Sequence, residues 1–204
     1  MEQEFKWKAS ARGAFVCFIQ AAKTNCDKIR SLPPLHITDY YLDNTRGSFS
    51  ACKTALRIRH SNQHFQATLK TRNRLKNGLA VRGEWTINLA GAHSFKKALG
   101  LLEKRKKWQG FSLEDLQEKF RICNYRRRYS CKYKNVHGEV SLDDYVTRAG
   151  GHQWRRREIE LELKKGSVKT FTKLIGKLSK SCQLPVAKIS KVAGAEKWIS
   201  EKLG

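Results

Sequence analysis

The chain has 204 residues, 40% hydrophobic, with 42 Lys and Arg against 18 Asp and Glu, a formal charge of +24. Such a length supports one sizeable core, read as a single domain over residues 1–204. No apolar run of about 18 residues spans a bilayer, and the charged start MEQEFKWKAS lacks a signal-peptide core, so the expected compartment is the cytoplasm, with no membrane partner.

Glu2, Glu4, Lys6 and Lys8 alternate with Phe5 and Trp7, the period of a half-buried strand. Residues 10–30 read as a weakly patterned helix ending before Pro33-Pro34, which belong in a loop. Residues 36–43 are strand-like, and 54–60 with 63–71 read as a hairpin across Ser61-Asn62. Residues 72–79 form a polar connection, and 82–89 resume alternation. Phe95, Ala98, Leu99 and Leu102 have helical spacing behind a capping Ser94. Ser112 with Asp115 reads as a capping box opening a short helix through Phe120. Strand character returns at 122–134, 138–146 and 157–165, separated by His137-Gly138 and by Ala149-Gly150-Gly151. Phe171, Leu174, Ile175 and Leu178 mark an amphipathic helix, and 190–203 a last one. The six cysteines show no CxxC or zinc spacing and read as reduced packing residues. The six histidines form no pair at nucleophile or ligand spacing.

Helices with an apolar stripe must bury it, and the available partners are the apolar faces of the charged strands. The charged faces then lie on the far side of the sheet. Two arrangements satisfy this: an open antiparallel sheet showing charge to water, or a barrel lined by acids and bases. Glu158, Glu160 and Glu162 share one face at a spacing of about 6.5–7 Å. Three such charges repel unless cations intervene, which favours enclosure around a divalent ion and a polyanion.

Several segments occur in a fixed order. They are Glu2-x-Glu4-x-Lys6 followed by Trp7, Tyr40-Tyr41-Leu42-Asp43, ALRIR at 55–59 and TLK at 68–70. Then come Arg82-x-Glu84-Trp85, Tyr125-Arg126, Glu139-x-x-Leu142-Asp143, EIELELK at 158–164 and Ser190-Lys191. From residue 2 to about 195 this series resembles the CYTH superfamily, the triphosphate tunnel metalloenzymes. The resemblance implies an α+β fold, an antiparallel eight-stranded closed β-barrel or tunnel with helices packed on the outside. It also implies divalent-metal-dependent hydrolysis of a triphosphate, foremost inorganic triphosphate to pyrophosphate and phosphate. Adenylate cyclisation and non-catalytic polyphosphate or RNA binding are the alternatives on the same fold.

Within that resemblance Arg57, Arg59 and Arg126 are phosphate clamps, since a guanidinium fork matches phosphate oxygens. Lys6, Lys70 and Lys191 add point charges, with Arg82, Arg128 and Lys164 as second-rank candidates. Glu2, Glu4, Glu160 and Glu162 are the candidate ligands for Mg²⁺ or Mn²⁺. Glu84 is a candidate base or an orienter of a neighbouring Arg, and Asp143 or Glu158 lies near a second metal. Two features depart from the pattern: Glu4-x-Lys6-x-Lys8 offers an alternative N-terminal register, and Gly194 stands where an Arg usually follows the Ser-Lys. Assigning the strand charges to a common interior leaves nearly all of the +24 outside it. The dense runs at 104–107, 126–128 and 155–157 are then either a generally basic surface or an outer site for polyphosphate or RNA.

Overall fold

The computed structural model describes residues 2–11, 13–71, 74–76 and 79–203, the side chains of Glu2 and of 74–82 aside. β1 (Glu2–Lys8) sends Phe5 and Trp7 to the core side, and the buried Trp7 indole donates to Ser179 Oγ at 2.9 Å. α1 (Ala14–Asn25) begins after a left-handed Gly13, so the helix is shorter than the expected span. β2 (Lys28–Asn44) follows directly and runs through Pro33-Pro34, which the sequence reading put in a loop. The ladder explains the difference: Arg126 of the neighbouring strand pairs with Leu35 and Arg128 with Leu32, leaving an extra residue on β2. Prolines have no N–H to give, and this bulge is where the ladder asks for none.

α2 (Ser48–Ala51) is a single turn, held by Asp43, whose carboxylate accepts from the Phe49 and Ser50 amides at 3.0 Å. β3 (Ala55–Ser61) and β4 (His64–Lys70) form the expected hairpin. β5 (Arg74–Lys76), β6 (Leu79–Arg82) and β7 (Glu84–Asn88) follow. Residues 74–76 and 79 of the connection expected at 72–79 are therefore strand, and 72–73 and 77–78 lie outside the described residues. α3 (Phe95–Glu103) is capped as expected, with Ser94 Oγ accepting from the Lys97 amide at 3.3 Å. β8 (Lys107–Trp108) and β9 (Phe111–Ser112) make a small ribbon. The expected helix through Phe120 is not formed. Asp115 takes a left-handed φ of 55°, and the chain turns straight into β10 (Leu116–Tyr133). β11 (Val136–Ala149) and β12 (His152–Lys165) complete the strands. His137-Gly138 sits inside β11 at a register shift, the turn having come earlier. α4 (Val168–Cys182) and α5 (Lys191–Leu203) end the chain. Cys17 and Cys52 are exposed, against the packing role expected of the cysteines.

The large sheet runs β5-β6-β1-β12-β11-β10-β2-β3-β4-β7, all pairings antiparallel. It has ten strands where eight were expected, because the run at 82–89 is divided and β5 adds a hairpin. Near the sheet's two ends lie successive pieces of one run: β6 pairs with β1, and beyond Gly83 the chain continues as β7 on β4. Gly83 sits tightly there, since a Cβ would stand 3.0 Å from Thr71 Oγ1 and 3.2 Å from the Trp85 ring.

The outer faces are covered by helices. Phe171, Leu174, Ile175 and Leu178 of α4 pack with Phe18 of α1 on Trp7, Val140, Ile159 and Leu161. Each such burial contributes about 1.5–3 kcal/mol. α2, α3 and the β8–β9 ribbon cover Leu42, Leu56, Ile58 and Leu69. α5 packs differently, setting Ala195 and Trp198 against Tyr41, Phe120, Ile122 and Tyr145. No helix among the described residues is long and apolar enough to cross a membrane.

Candidate active site

Strand alternation turns the opposite faces, and their charges, onto a common cavity of about 520 Å³. Lys6 stands across from Glu160 on β12, Glu4 across from Glu162, and Glu162 in turn across from Glu139 on β11. On the far wall Asp39 pairs with Arg59 and Tyr41 with Arg57. Glu4 and Lys6 line the cavity and Lys8 does not.

One cluster centres on Glu160. Its carboxylate meets Lys6 at 2.7 Å, Lys191 at 2.5 Å and Arg126 at 2.6 Å. Burial alone would raise its pKa, but Lys191, Lys6 and Arg126 hold it well below the usual carboxylate range. Burial likewise opposes the Lys191 charge, yet Asp143, Glu160 and Glu158 keep the ammonium well above the ordinary lysine value. Lys6 is raised for the same reason, by Glu160 and Glu4 against its desolvation. Lys191 reaches the cluster from the first residue of α5, which explains why that helix packs on the inward-facing Tyr41 and Tyr145.

The second cluster centres on Asp39. It takes a two-pronged bond from Arg59 at 2.6 and 2.7 Å and a third from Arg57 at 3.3 Å. Burial would raise Asp39, but Arg57 and Arg59 hold its carboxyl far below the usual range. Arg57 is buried, and its Nε has no hydrogen-bond partner among the described residues. A desolvated guanidinium N–H without an acceptor is costly unless a ligand supplies one. Glu84 lies nearby, 2.8 Å from Lys70 and 3.8 Å from Arg57.

Of the candidate residues, Lys6, Arg57, Arg59, Lys70, Glu84, Arg126, Lys191, Glu4, Glu160 and Glu162 all line the cavity. The Glu2 and Arg82 side chains fall outside the described residues. Asp143 is not brought to the cavity. It is fully buried behind the wall, accepting from Asn124, Arg126 and Lys191 at 2.9, 2.7 and 2.7 Å. Glu158 is also withdrawn, bonded to the Tyr145 hydroxyl at 2.9 Å. Gly194 lies against Trp154 and Ile189 and does not line the cavity, so a longer side chain at that position would start from outside its lining. Asp39 was missed by the sequence reading. The available signal was its place two residues before Tyr41 on the face that meets Arg57 and Arg59.

A family model for the CYTH domain matches residues 2–195. The chain belongs to the CYTH family. Its fold is shared with a putative adenylyl cyclase from Hippeastrum described as having a dominant triphosphatase activity. The TM-score is 0.64 at 20% identity, over 97% of this chain and 96% of that one. A protein from Pyrococcus horikoshii gives 0.64 at 17% identity, over 99% and 100%. The RNA triphosphatase domain of the mimivirus mRNA capping enzyme gives 0.50 at 15%, over 89% of each chain. No curated protein matches significantly.

Among the described residues no three Asp, Glu, His or Cys side chains converge into a preformed metal cage. Glu4 and Glu162, opposite one another across β1 and β12 in the CYTH cavity, offer an all-oxygen pair. Mg²⁺ and Mn²⁺ take one or two carboxylates and complete their shells with water and substrate phosphates, so these donors fit.

Proposed function

We propose that this CYTH protein hydrolyses a triphosphate with a divalent metal, converting inorganic triphosphate to pyrophosphate and phosphate. The observation that carries the reading is the single cavity that Lys6, Arg57, Arg59, Lys70, Arg126 and Lys191 line together. A triphosphate carries about four negative charges, and three guanidinium forks with three ammonium groups suit its oxygens. The Arg57 Nε, without a hydrogen-bond partner among the described residues, supports an anion there. We further propose that the sheet closes as a tunnel, because the pieces on either side of Gly83 pair with β1 and β4, near its opposite ends. The cytoplasm is the compartment this reading assigns.

Phosphoryl transfer is mostly positioning and charge stabilisation. Arg57 and Arg59, held by Asp39, would bind and orient the phosphate chain from one wall. Lys6, Arg126 and Lys191 would bind it from the other, exchanging Glu160 for phosphate oxygens. Water attacks the terminal phosphorus, the bridging P–O bond breaks, and pyrophosphate leaves as phosphate forms. Glu84 holds Lys70 and Arg57 in place, which favours an orienting role over a base. Glu4 and Glu162, with Glu2 and Glu160 as further candidates, would hold Mg²⁺ or Mn²⁺. When bound, that ion supplies charge neutralisation at the phosphate oxygens.

The test offers purified protein inorganic triphosphate and ATP with Mg²⁺ or Mn²⁺. Release of phosphate and pyrophosphate from inorganic triphosphate, abolished by EDTA, is expected. Cyclic AMP as the main product from ATP, or no turnover with either metal, would overturn the reading.

A further inference from the structure

The interior leaves the external charge unexplained, and one face concentrates it. Lys169, Lys173, Lys177 and Lys180 are all exposed on one side of α4. Among the described residues none of them is in an ion pair. Some surface basic groups have acids: Arg155 and Arg157 share Asp144, Arg121 has Glu118, and Lys197 has Glu201. Others, Lys104, Lys106 and Lys107 among them, are like the α4 lysines in no ion pair among the described residues. The ridge continues past α4. Lys177 and Lys134 sit over the same Tyr133 ring, at 5.4 and 5.8 Å, and Lys132 stands directly across from Lys28. Like charges at i,i+4 of a helix and directly across strands are destabilising. A ridge of them fits a partner that neutralises it.

We propose that this face binds the phosphate backbone of a nucleic-acid duplex without reading its sequence. From Lys169 to Lys180 the ridge spans about 16 Å along α4, against one duplex charge per roughly 1.7 Å. An anionic membrane is the poorer partner, because surface-bound helices insert an apolar face. Here Phe171, Leu174, Ile175 and Leu178 are already spent in the core. A single strand is poorer too, since it is gripped by stacking on exposed aromatics, and Tyr133 is buried beneath its lysines.

The proposal stands apart from the triphosphate reading, and its test uses 20-bp RNA and DNA duplexes with 5′-hydroxyl ends, in EDTA, from 50 to 200 mM NaCl. Fluorescence anisotropy of the whole chain should show similar binding of both duplexes, weakening linearly on a log–log salt plot. The combined variant Lys169→Gln, Lys173→Gln, Lys177→Gln and Lys180→Gln should bind at least about tenfold more weakly, with the salt slope shallower by about three. Lys104→Gln, Lys106→Gln and Lys107→Gln together should change affinity less than about twofold. Unchanged binding in the α4 variant, or an equal loss in the control, would overturn the proposal. So would preference for single strands or for phosphatidylserine vesicles.

Discussion

The cavity wall and the outer face of α4 are both rich in cations, yet they treat charge in opposite ways. Inside, Glu160 is met by three cations and Asp39 by two, within hydrogen-bonding distance. Outside, the α4 lysines are exposed, and none is in an ion pair among the described residues. A buried charge needs a partner because desolvation is expensive, whereas water and salt screen an exposed one. In the cavity, pairing accompanies the withdrawal of charge from solvent. In the proposed function the carboxylates inside hold the places that phosphate oxygens would take.

Breaking the inner pairing should have the largest effect. Glu160→Gln removes the common partner of Lys6, Arg126 and Lys191, and Arg59→Ala removes half of the Asp39 clamp. Each is expected to lower triphosphate turnover at least about 100-fold, the scale of lost transition-state charge stabilisation. Near-normal rates in steady-state assays would remove that residue from the site. Each should also lower stability by about 3–5 kcal/mol, since a buried ion loses its partner, which urea unfolding would measure.

A smaller effect sharpens the same point through pH. Asp39 is depressed by Arg57 and Arg59 in the folded state, while an unfolded Asp titrates near about 3.9. The unfolded chain therefore binds the proton first, and the Asp39 contribution is complete above that value and lost as pH falls below it. In Asp39→Asn that part of the acid loss should vanish. An unaltered slope of unfolding free energy between about pH 5 and pH 2 would count against the pairing.

How much of this contrast was legible beforehand depended on periodicity. Alternation in β1, β3 and β12 was enough to sort Lys6, Arg57, Arg59 and Glu160 onto one face, because a strand fixes direction two residues at a time. It could not tell depth along the face, so Asp143 and Glu158 were placed near a second metal although both lie withdrawn. Asp39 was hidden because its partners lie a strand away, at Arg57 and Arg59. Local signals misled where the ladder overrode them. Pro33-Pro34 reads as a break until the bulge opposite Arg127 accommodates it, and Ser112 with Asp115 reads as a cap until Asp115 turns left-handed.

The smallest expected effect is on the outside. The fourfold α4 lysine-to-glutamine variant should unfold within about 0.5 kcal/mol of the parent, as exposed substitutions usually do. A large loss in thermal unfolding would show that those lysines are structural.

The most direct test compares melting temperatures with and without inorganic triphosphate in EDTA, for the parent, the α4 variant and Arg59→Ala. A ligand bound only by the folded state raises the midpoint in proportion to its saturation. A saturable rise of several degrees in the parent and the α4 variant, largely lost in Arg59→Ala, is the predicted result. An equal rise in Arg59→Ala, with loss in the α4 variant, would place the anion on the outer face and contradict the account.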